Sequence, residues 1–496
     1  MTRVVAIAAA LALAVFGTVR GTWAVGGSDS SCYALMAGAF AHGHLQPTSS
    51  LAIDAPWPDA PLTLAPAGFV PSPVRRDGAS PICAAGMSVL MAPLMIAGGA
   101  EALFLLTPLA AALLVWCAFV LARRLAGGMA GAVAAVLVAA SPVILFQSVQ
   151  PMNDIVTAAL WIGALTAAGW DSERSGWIAG LLTGAAILVR PNLAPLVMIV
   201  GATRREWPFF AALCPGVAIL LSLNHGLYGS PWRTGYGDAN QLFALSHVPA
   251  NAVNYWWAFL ATQTIFPVVG VAAPFVFADR QRRFAWTWLA AAGAVVVIYL
   301  LYLPYPEWWY LRFMIPALVL MVVLASAVVV DLGRRAKIGG VVAIATVVLA
   351  LWMVETPSGK EARGLQQMEG RYREMGHLVR DRLPPRAVLL TVWQSGSVKF
   401  HAGREAVLWD SLDPAWLDRG VEWLTAQGRI PYILVERREE AAFRARFRGE
   451  SAFGALDWPP RFDLNRQARI FDPADRARYV IGESYPTENL GASRRR

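Results

Sequence analysis

The chain has 496 residues, of which 56% are hydrophobic and only 15% are charged, and its mean hydropathy is +0.47. Soluble domains carry about 25% charged residues, so this composition excludes a purely soluble protein and indicates a polytopic membrane protein. The net charge of +9 does not indicate a nucleic-acid partner, because the arginines stand in short groups between apolar runs, as in cytoplasmic loops.

The chain begins with an apolar run, and we expect residues 4–22 to remain as a transmembrane helix. Arg3 would suit a signal peptide, but Arg20 follows the run and no clear cleavage site separates it from the polar stretch. Segments able to cross about 30 Å of hydrocarbon recur, and we expect about eleven spans. After the first they are 103–122, 129–147, 155–170, 176–189, 192–203, 208–228, 254–277, 284–303, 309–330 and 338–354. Those at 176–189 and 192–203 are short, which predicts a broken or tilted pair.

Lys and Arg fall in alternate connections between these segments, which marks the cytoplasmic side. They are Arg3, Arg123, Arg124, Arg204, Arg205, Arg280, Arg282, Arg283, Arg334, Arg335 and Lys337. The N-terminus is therefore expected in the cytoplasm and the first loop, residues 23–90, outside it. An odd number of spans predicts a membrane domain at 1–355 and an extracytoplasmic domain at 356–496.

The first outer loop is rich in proline over residues 46–81, and such long irregular loops are uncommon unless they are functional or disordered. The apolar segment at 82–99 predicts a helix lying on or dipping into the membrane interface.

The C-terminal region alternates between strand-like and helical patterns. Strands are expected at 387–393, 405–410 and 431–436, with helices after each of them. Asp413 is expected to cap a helix that ends before Gly428. This alternation predicts a small α/β domain, and without a glycine-rich loop after a strand we expect no nucleotide site. The predicted fold class is thus a mainly α-helical polytopic membrane protein with a C-terminal extracytoplasmic α/β domain.

Charged residues gather at the expected outer ends of the spans. Asp29 follows the first span, Asp154 begins the fourth, and Arg312 lies just inside the tenth. The other candidates on this side are Arg190, Arg233, Tyr236, Asp238 and Glu307. Charged groups at such positions usually face a cavity. Guanidinium groups bind phosphate through paired hydrogen bonds, and a carboxylate can act as a general base, so an anionic ligand and a proton acceptor are indicated.

Structural alternatives exist for each candidate. Asp29 and Asp154 could each be a helix N-cap. Arg312 could reach the interface among neighbouring aromatic residues, and Arg190 could be a loop residue. Cys32 and Cys83 both lie in the outer loop, where disulfides form, but the sequence leaves their pairing open. No His/Cys/Asp spacing fits a structural zinc site.

Six stretches, in their order along the chain, resemble the GT-C superfamily of membrane glycosyltransferases. They are GGSDSSCYALMAGAFAHGHL, ASPICAAGMSVLMAPL, FQSVQPMNDIVTAALW, GLLTGAAILVRPN, YGSPWRTGYG and EWWYLRFMIPAL. The chain is similar to the bacterial relatives of the protein O-mannosyltransferases and aminoarabinose transferases over most of residues 1–330. The region from QSGSVKFHAGREAVLWDSLDP to PYILVE looks like the soluble domain of some bacterial members.

This resemblance implies an enzyme of the bacterial inner membrane that transfers a sugar from a polyprenyl-phosphate lipid on the extracytoplasmic face, usually with inversion. Asp29 matches the catalytic base, and Asp154 matches a second acidic position that orients the acceptor or holds a cation. Arg190, Arg233 and Arg312 are the candidates for the donor phosphate. Glu307 and Tyr236 are assigned to the substrate cavity. No cofactor is required by the sequence, a divalent cation is left open, and the acceptor is a lipid, a glycan or a protein.

The sequence departs from the family pattern in two places. Asp29 is followed by two serines where several relatives carry a second acidic residue, and no WWDYG-like motif supports the oligosaccharyltransferase branch. The competing hypothesis is a transporter of a lipid-linked or anionic glycan, although no internal repeat typical of transporters is evident. A sensor with an outer ligand-binding domain ranks last, because no cytoplasmic effector segment is present.

Overall fold

The computed structural model describes residues 1–204, 206–237, 239–465 and 467–490, so the candidate Asp238 lies outside the described residues. The chain divides into two compact units. The helical unit comprises Met1–Thr22, Ala84–Ser222 and Tyr236–Gln366, and the mixed unit comprises Trp23–Cys83, Leu223–Gly235 and the chain from Gln367 onward. The predicted domain boundary at residues 355 and 356 stays a prediction.

The helical unit consists of helices built from the apolar runs. Its α-helices are Thr2–Val19, Gly86–Gly98, Leu106–Ala140, Pro142–Ser148, Asn153–Ala168, Ser175–Val189, Val197–Thr203, Ala239–Leu242, Val248–Gln263, Ala273–Val276, Asp279–Leu300, Ile315–Arg335 and Gly339–Glu355. Trp207–Tyr228 and Pro357–Arg382 begin in this unit and end in the mixed unit. Short 3₁₀ helices occupy Ala100–Leu105, Pro191–Leu196, Leu245–His247, Phe266–Ala272 and Trp308–Met314.

The segment Leu106–Ala140 is a helical hairpin rather than one straight helix. Ala126 and Gly127 leave the helical conformation, and Gly127 has a φ of 83°. A Cβ added at Gly131 would lie 2.7 Å from the carbonyl oxygen of Phe119. In a continuous helix these residues would be about 18 Å apart along the axis. The turn predicted between residues 122 and 129 is therefore confirmed.

The helix boundaries bear on the predicted number of spans and on two of their breaks. Among the described residues, five helices are long and apolar enough to cross a membrane, or up to seven when each bent pair counts as one span, so the expected eleven is not confirmed. The span predicted at 254–277 is not one continuous helix. Its helix ends at Gln263, Thr264 follows with a φ of 59°, and the next segment runs at 106° to it. The break predicted at residues 190–192 is confirmed, because one helix ends at Val189 and a 3₁₀ helix begins at Pro191.

The mixed unit contains residues 23–83 of the predicted first outer loop and a six-stranded sheet. The loop forms helices Gly27–Ala41, Leu51–Asp54 and Ala60–Thr63 and a small antiparallel pair, β1 (Phe69–Pro71) and β2 (Ala79–Pro81). The sheet strands are β3 (Ala387–Leu390), β4 (Glu405–Val407), β5 (Ile430–Glu436), β6 (Phe462–Leu464), β7 (Ala468–Phe471) and β8 (Glu488–Leu490). Their order is β4-β3-β5-β7-β6-β8, with β3 parallel to both β4 and β5. Around the sheet lie helical segments Ser395–Ser397, Val398–Ala402, Pro414–Trp416, Leu417–Ala426, Glu440–Phe447 and Pro473–Val480.

The predicted α/β character of the C-terminal region is confirmed. Strands β3, β4 and β5 lie where the alternating pattern places them, and the side chain of Asp413 accepts a hydrogen bond from the Ala415 N–H at 3.0 Å. The sequence pattern missed β6, β7 and β8. These strands have only three or four residues each, too few for a clear alternation.

The first outer loop packs its apolar residues into the core of this sheet. Leu51, Trp57 and Leu64 belong to the same buried cluster as Val388 and Ile433. The ring of Trp57 is 3% exposed, and its Nε1 donates a hydrogen bond to Thr63 at 2.8 Å. The proline-rich loop is thus an integral part of the C-terminal domain core. Cys32 and Cys83, at the two ends of the loop, form a disulfide, which settles the open pairing.

His401 is a buried, uncharged group that should make the mixed unit sensitive to acid. Its Nε2 accepts a hydrogen bond from the Val25 N–H at 3.3 Å. Its pKa is lowered to about 3, first by burial and then by the positive charges of His377, Arg373 and Arg380. In the unfolded chain the pKa of this histidine returns to about 6.5. Below pH 6.5 the unfolded chain therefore binds a proton here, whereas the folded chain binds it only near pH 3. Stability therefore falls as the pH is lowered through this window.

Between pH 7 and pH 5 we expect the wild type to lose about 2 kcal/mol of unfolding free energy through this histidine. The variant His401→Gln, which keeps a hydrogen-bond acceptor but does not titrate, should lose correspondingly less. The unfolding midpoints of both proteins at the two pH values measure this. An equal loss in both proteins would contradict the assignment.

Candidate active site

The helical unit contains a buried cluster of three charged residues from three separate segments. Asp154 lies in the first turn of helix Asn153–Ala168 and is 1% exposed. Arg190 Nη1 is 2.7 Å from Asp154 Oδ1, and Arg312 Nε is 3.8 Å from Asp154 Oδ2. Both arginine side chains are also largely buried. The structure thus brings together three residues that the sequence proposed independently.

Breaks in helices place both arginines. Arg190 follows the last residue of helix Ser175–Val189, and Pro191 then begins a 3₁₀ helix. Arg312 lies within the 3₁₀ helix Trp308–Met314. Residues at such breaks leave the regular helix surface, so their long side chains can converge on one carboxylate.

Aromatic rings hold the two guanidinium groups. The Arg190 guanidinium lies 5.2 Å from the centre of the Phe313 ring and 5.7 Å from that of Tyr299. The Arg312 guanidinium lies 5.1 Å from the rings of both Phe313 and Tyr310. Such cation–π contacts are worth about 0.5–2 kcal/mol each. Phe313 therefore packs against both guanidinium groups and fixes their positions.

A second layer of contacts supports these rings. The Tyr299 ring is stacked on Phe313 with centroids 5.2 Å apart. Its hydroxyl accepts a hydrogen bond from Asn192 Nδ2 at 3.0 Å. The sequence analysis did not single out Tyr299, Phe313 or Asn192. The dense aromatic run beside Arg312 could have pointed to Phe313. Tyr299 lies in the preceding helix, where no sequence pattern marked it.

The charged groups of this cluster are little exposed to solvent. Two guanidinium groups face one carboxylate, and the side chains of Arg190 and Arg312 are only 13% and 14% exposed. Asp154 Oδ2 makes no hydrogen bond to any described residue, and the Arg312 Nε facing it is beyond hydrogen-bond distance. Charges in such poorly hydrated surroundings interact strongly, so the two guanidinium groups and the carboxylate hold one another in place.

An apolar groove of about 270 Å³ adjoins the same 3₁₀ helix. Leu311 and Met314 line it, together with Tyr255, Phe259 and Leu318. These two lining residues flank Arg312 and Phe313 in the chain. One short segment therefore contributes both to the charged cluster and to an apolar groove.

Asp29 lies in the first turn of helix Gly27–Ala41 in the mixed unit. The N-cap of this helix is Gly26, and the N-cap of the Asp154 helix is Met152, so neither carboxylate occupies the cap position considered above. Arg233 also belongs to the mixed unit and is exposed. Tyr236 and Glu307 belong to the helical unit, where both are exposed rather than buried like the charged cluster. Among the described residues, no group of three His, Cys, Asp or Glu could hold a metal ion, and metal dependence stays open.

The comparisons with known proteins agree with this architecture. The family model described as dolichyl-phosphate-mannose-protein mannosyltransferase matches residues 81–222. ArnT from Cupriavidus metallidurans bound to undecaprenyl phosphate superposes with a TM-score of 0.55 and 14% identity, over 90% of this chain and 94% of that chain. The chain has the GT-C fold. This confirms the resemblance stated from the sequence.

Two structures of the Archaeoglobus fulgidus oligosaccharyltransferase share the GT-C fold as well. The apo form has a TM-score of 0.57 at 14% identity and covers 90% of this chain and 71% of that chain. The form in complex with an inhibitory peptide and a dolichol-phosphate has a TM-score of 0.55 at 14% identity, over 91% and 72%. No curated protein sequence matches at a significant level. The family match includes Asp154 and Arg190.

Proposed function

We propose that the protein is an integral membrane glycosyltransferase that moves a sugar from a polyprenyl-phosphate donor to an acceptor on the extracytoplasmic face. The observation that carries this proposal is the buried cluster of Asp154, Arg190 and Arg312 beside an apolar groove. A lipid phosphate needs both features, a cationic site for its headgroup and an apolar surface for its chain. That two proteins of the same fold were solved with undecaprenyl phosphate and dolichol-phosphate supports this donor class.

The two arginines are expected to have different roles in donor binding. Arg190 makes a short bond to Asp154, whereas Arg312 is held at the longer distance of 3.8 Å. Arg312, whose Nε is not within hydrogen-bond distance of Asp154, is the first candidate to bind a phosphate oxygen. Guanidinium groups bind phosphate through two parallel hydrogen bonds. Arg233 is the further candidate for the phosphate, and Glu307 and Tyr236 remain candidates for the sugar.

Asp154 acts in this proposal through the arginines. Its carboxylate is buried and engaged by two guanidinium groups, so it orients them. A proton acceptor needs access to the acceptor hydroxyl, and burial denies Asp154 that access. This leaves the orientation of charged partners as its function.

Asp29 is the proposed general base. It removes the proton from the acceptor hydroxyl as the acceptor oxygen attacks the anomeric carbon. The bond from that carbon to the phosphate oxygen breaks, and the lipid phosphate leaves with its electron pair. Attack opposite the leaving group inverts the anomeric centre. Arginines near the departing phosphate stabilise the charge that develops there.

The proposed setting follows the charge distribution of the loops. The protein resides in the bacterial inner membrane with a cytoplasmic N-terminus and an extracytoplasmic C-terminal domain. Its partners are the lipid donor and an acceptor that is a lipid, a glycan or a protein.

Substituting Arg312 tests the donor site. Arg312→Ala should weaken binding of a polyprenyl phosphate about 10- to 100-fold, because a hydrogen bond to a charged group is worth about 1.5–3 kcal/mol. Arg312→Lys should be intermediate, since it keeps the charge and loses the paired geometry. Binding of a labelled polyprenyl phosphate to the protein in nanodiscs measures both.

The matched control is Arg283→Ala, which removes an exposed arginine from helix Asp279–Leu300. It should leave the affinity unchanged. Wild-type affinity in Arg312→Ala would remove this residue from the donor site.

A further inference from the structure

The turn that carries Asp29 is packed tightly against the C-terminal part of the mixed unit. A Cβ added at Gly396 would lie 1.7 Å from Ser31 Oγ, two residues after Asp29. A Cβ added at Gly26 would lie 2.2 Å from the Tyr372 ring. Real Cβ atoms do not approach other atoms so closely, so only glycine fits these two positions without movement. The C-terminal part of the mixed unit is therefore in close contact with the chain on both sides of Asp29.

Hydrogen bonds connect the same two regions of the chain. His401 Nε2 accepts a bond from the Val25 N–H at 3.3 Å, just before the helix begins. Ser395 Oγ accepts a bond from the Ala67 N–H at 3.0 Å. Ala67 precedes Gly68, where an added Cβ would lie 2.2 Å from the carbonyl oxygen of Ser28. The loop beside the Asp29 turn is thus fixed by the C-terminal domain as well.

We propose that the segment Ser395–Gly396–Ser397, with Tyr372 and His401, positions Asp29 for catalysis. The C-terminal domain is then a support for the base and not only a module that presents the acceptor. The inference rests on the proposed function of Asp29, and the supporting residues act through its helix without touching substrate. A displacement of about 1 Å at a reacting group can lower a rate about 100-fold.

The positions that make these contacts can be changed without emptying the core. Gly396 belongs to neither of the two described apolar clusters of the mixed unit, which centre on residues such as Trp57 and Leu389. A methyl group at Gly396 would push against Ser31 rather than leave a cavity. A shift of the Asp29 helix is therefore the expected response.

The experiment compares Gly396→Ala with the double variant Gly396→Ala/Ser31→Gly. In the double variant the nearest remaining atom to the added methyl is the Ser31 Cα, at 3.4 Å, an ordinary contact. Gly449→Ala is the matched control, because a Cβ there meets nothing within 4 Å. Each protein is measured for kcat, for the KM of the lipid donor, and for hydrogen–deuterium exchange of the backbone at residues 24–41.

Gly396→Ala should lower kcat about 100-fold, leave the donor KM within about twofold, and speed exchange at residues 24–41. The double variant should recover at least about a tenth of wild-type kcat and the slow exchange, because a glycine within the helix adds its own small cost. Gly449→Ala should match the wild type throughout. Wild-type kcat in Gly396→Ala, or no rescue by Ser31→Gly, would overturn the inference.

The exchange measurement separates this inference from the proposed function. If the wild type transfers no sugar from any donor, the proposed function fails, and unchanged exchange in Gly396→Ala would overturn the support as well. If Asp29→Asn is inactive while Gly396→Ala is fully active, Asp29 remains the proposed base. The proposal that Gly396 and its neighbours position Asp29 is then contradicted.

Discussion

Asp29→Asn should lower the rate of sugar transfer about 1,000-fold while donor affinity and the unfolding midpoint stay at wild-type values. Asparagine has the size of aspartate but cannot accept a proton at neutral pH, and general-base catalysis is typically worth about 100- to 10,000-fold. The acceptor hydroxyl would remain protonated, so the chemical step would slow while binding persists. Transfer assays with wild-type and variant protein in nanodiscs, with donor binding measured in parallel, test this expectation.

The control for this substitution is Asp54→Asn. Asp54 belongs to the same outer loop, ends the short helix Leu51–Asp54, and is exposed. Its substitution should leave kcat unchanged. Full activity in Asp29→Asn would show that another residue is the base. It would also contradict the proposal that the C-terminal domain positions Asp29 for catalysis.

The second large effect concerns the buried ion pair of Arg190 and Asp154. Either Arg190→Gln or Asp154→Asn should lower the unfolding free energy by about 3 kcal/mol or more, because each removes one member of a buried ion pair. The double variant should lose less than the sum of the two, with a coupling energy of about 1–3 kcal/mol. Unfolding midpoints of the four proteins complete the cycle.

An exposed pair in the helical unit provides the comparison. Arg280 makes two hydrogen bonds to Asp171, at 2.7 and 3.1 Å, and both side chains are largely exposed. The corresponding cycle with Arg280→Gln and Asp171→Asn should leave the unfolding midpoint nearly unchanged, since solvent screens such pairs. Strict additivity at Arg190 and Asp154 would show that this bond does not couple them.

Much of the candidate site could be predicted from the sequence because its charges are rare in their surroundings. Asp154, Arg190 and Arg312 stand among apolar residues, and a charge there has to meet a partner. The sequence could not state which partner, because that depends on how helix breaks at Pro191 and near Trp308 turn the side chains. The pairing of both arginines with one carboxylate is a finding of the structure.

The fold was predictable where the local pattern is strong. The helical runs, the break at residues 190–192 and strands β3 to β5 follow from apolar periodicity and proline. A continuous helix through residues 254–277 does not form because Thr264 adopts a positive φ. No local sequence pattern indicates this conformation. The number of spans was harder to predict than the helices themselves. Composition shows how apolar a segment is but not the direction in which it runs.

Contacts distant in sequence were beyond prediction. Trp57 lies in a proline-rich loop, and its packing partner Trp423 lies 366 residues later, with ring centroids 5.5 Å apart. Likewise, nothing near Gly396 indicates that it contacts Ser31. Such pairings arise from tertiary packing, which a single sequence does not encode locally.

The most direct test of the central claim is sugar transfer by the purified wild-type protein from a panel of polyprenyl-phosphate sugars, each labelled in the sugar. The protein is kept in nanodiscs with a crude membrane extract as the source of acceptor. The account predicts that label from at least one donor enters a new product while the free polyprenyl phosphate appears in equal amount. Folded protein that neither binds nor consumes any donor of a broad panel would contradict it and would favour transport without chemistry.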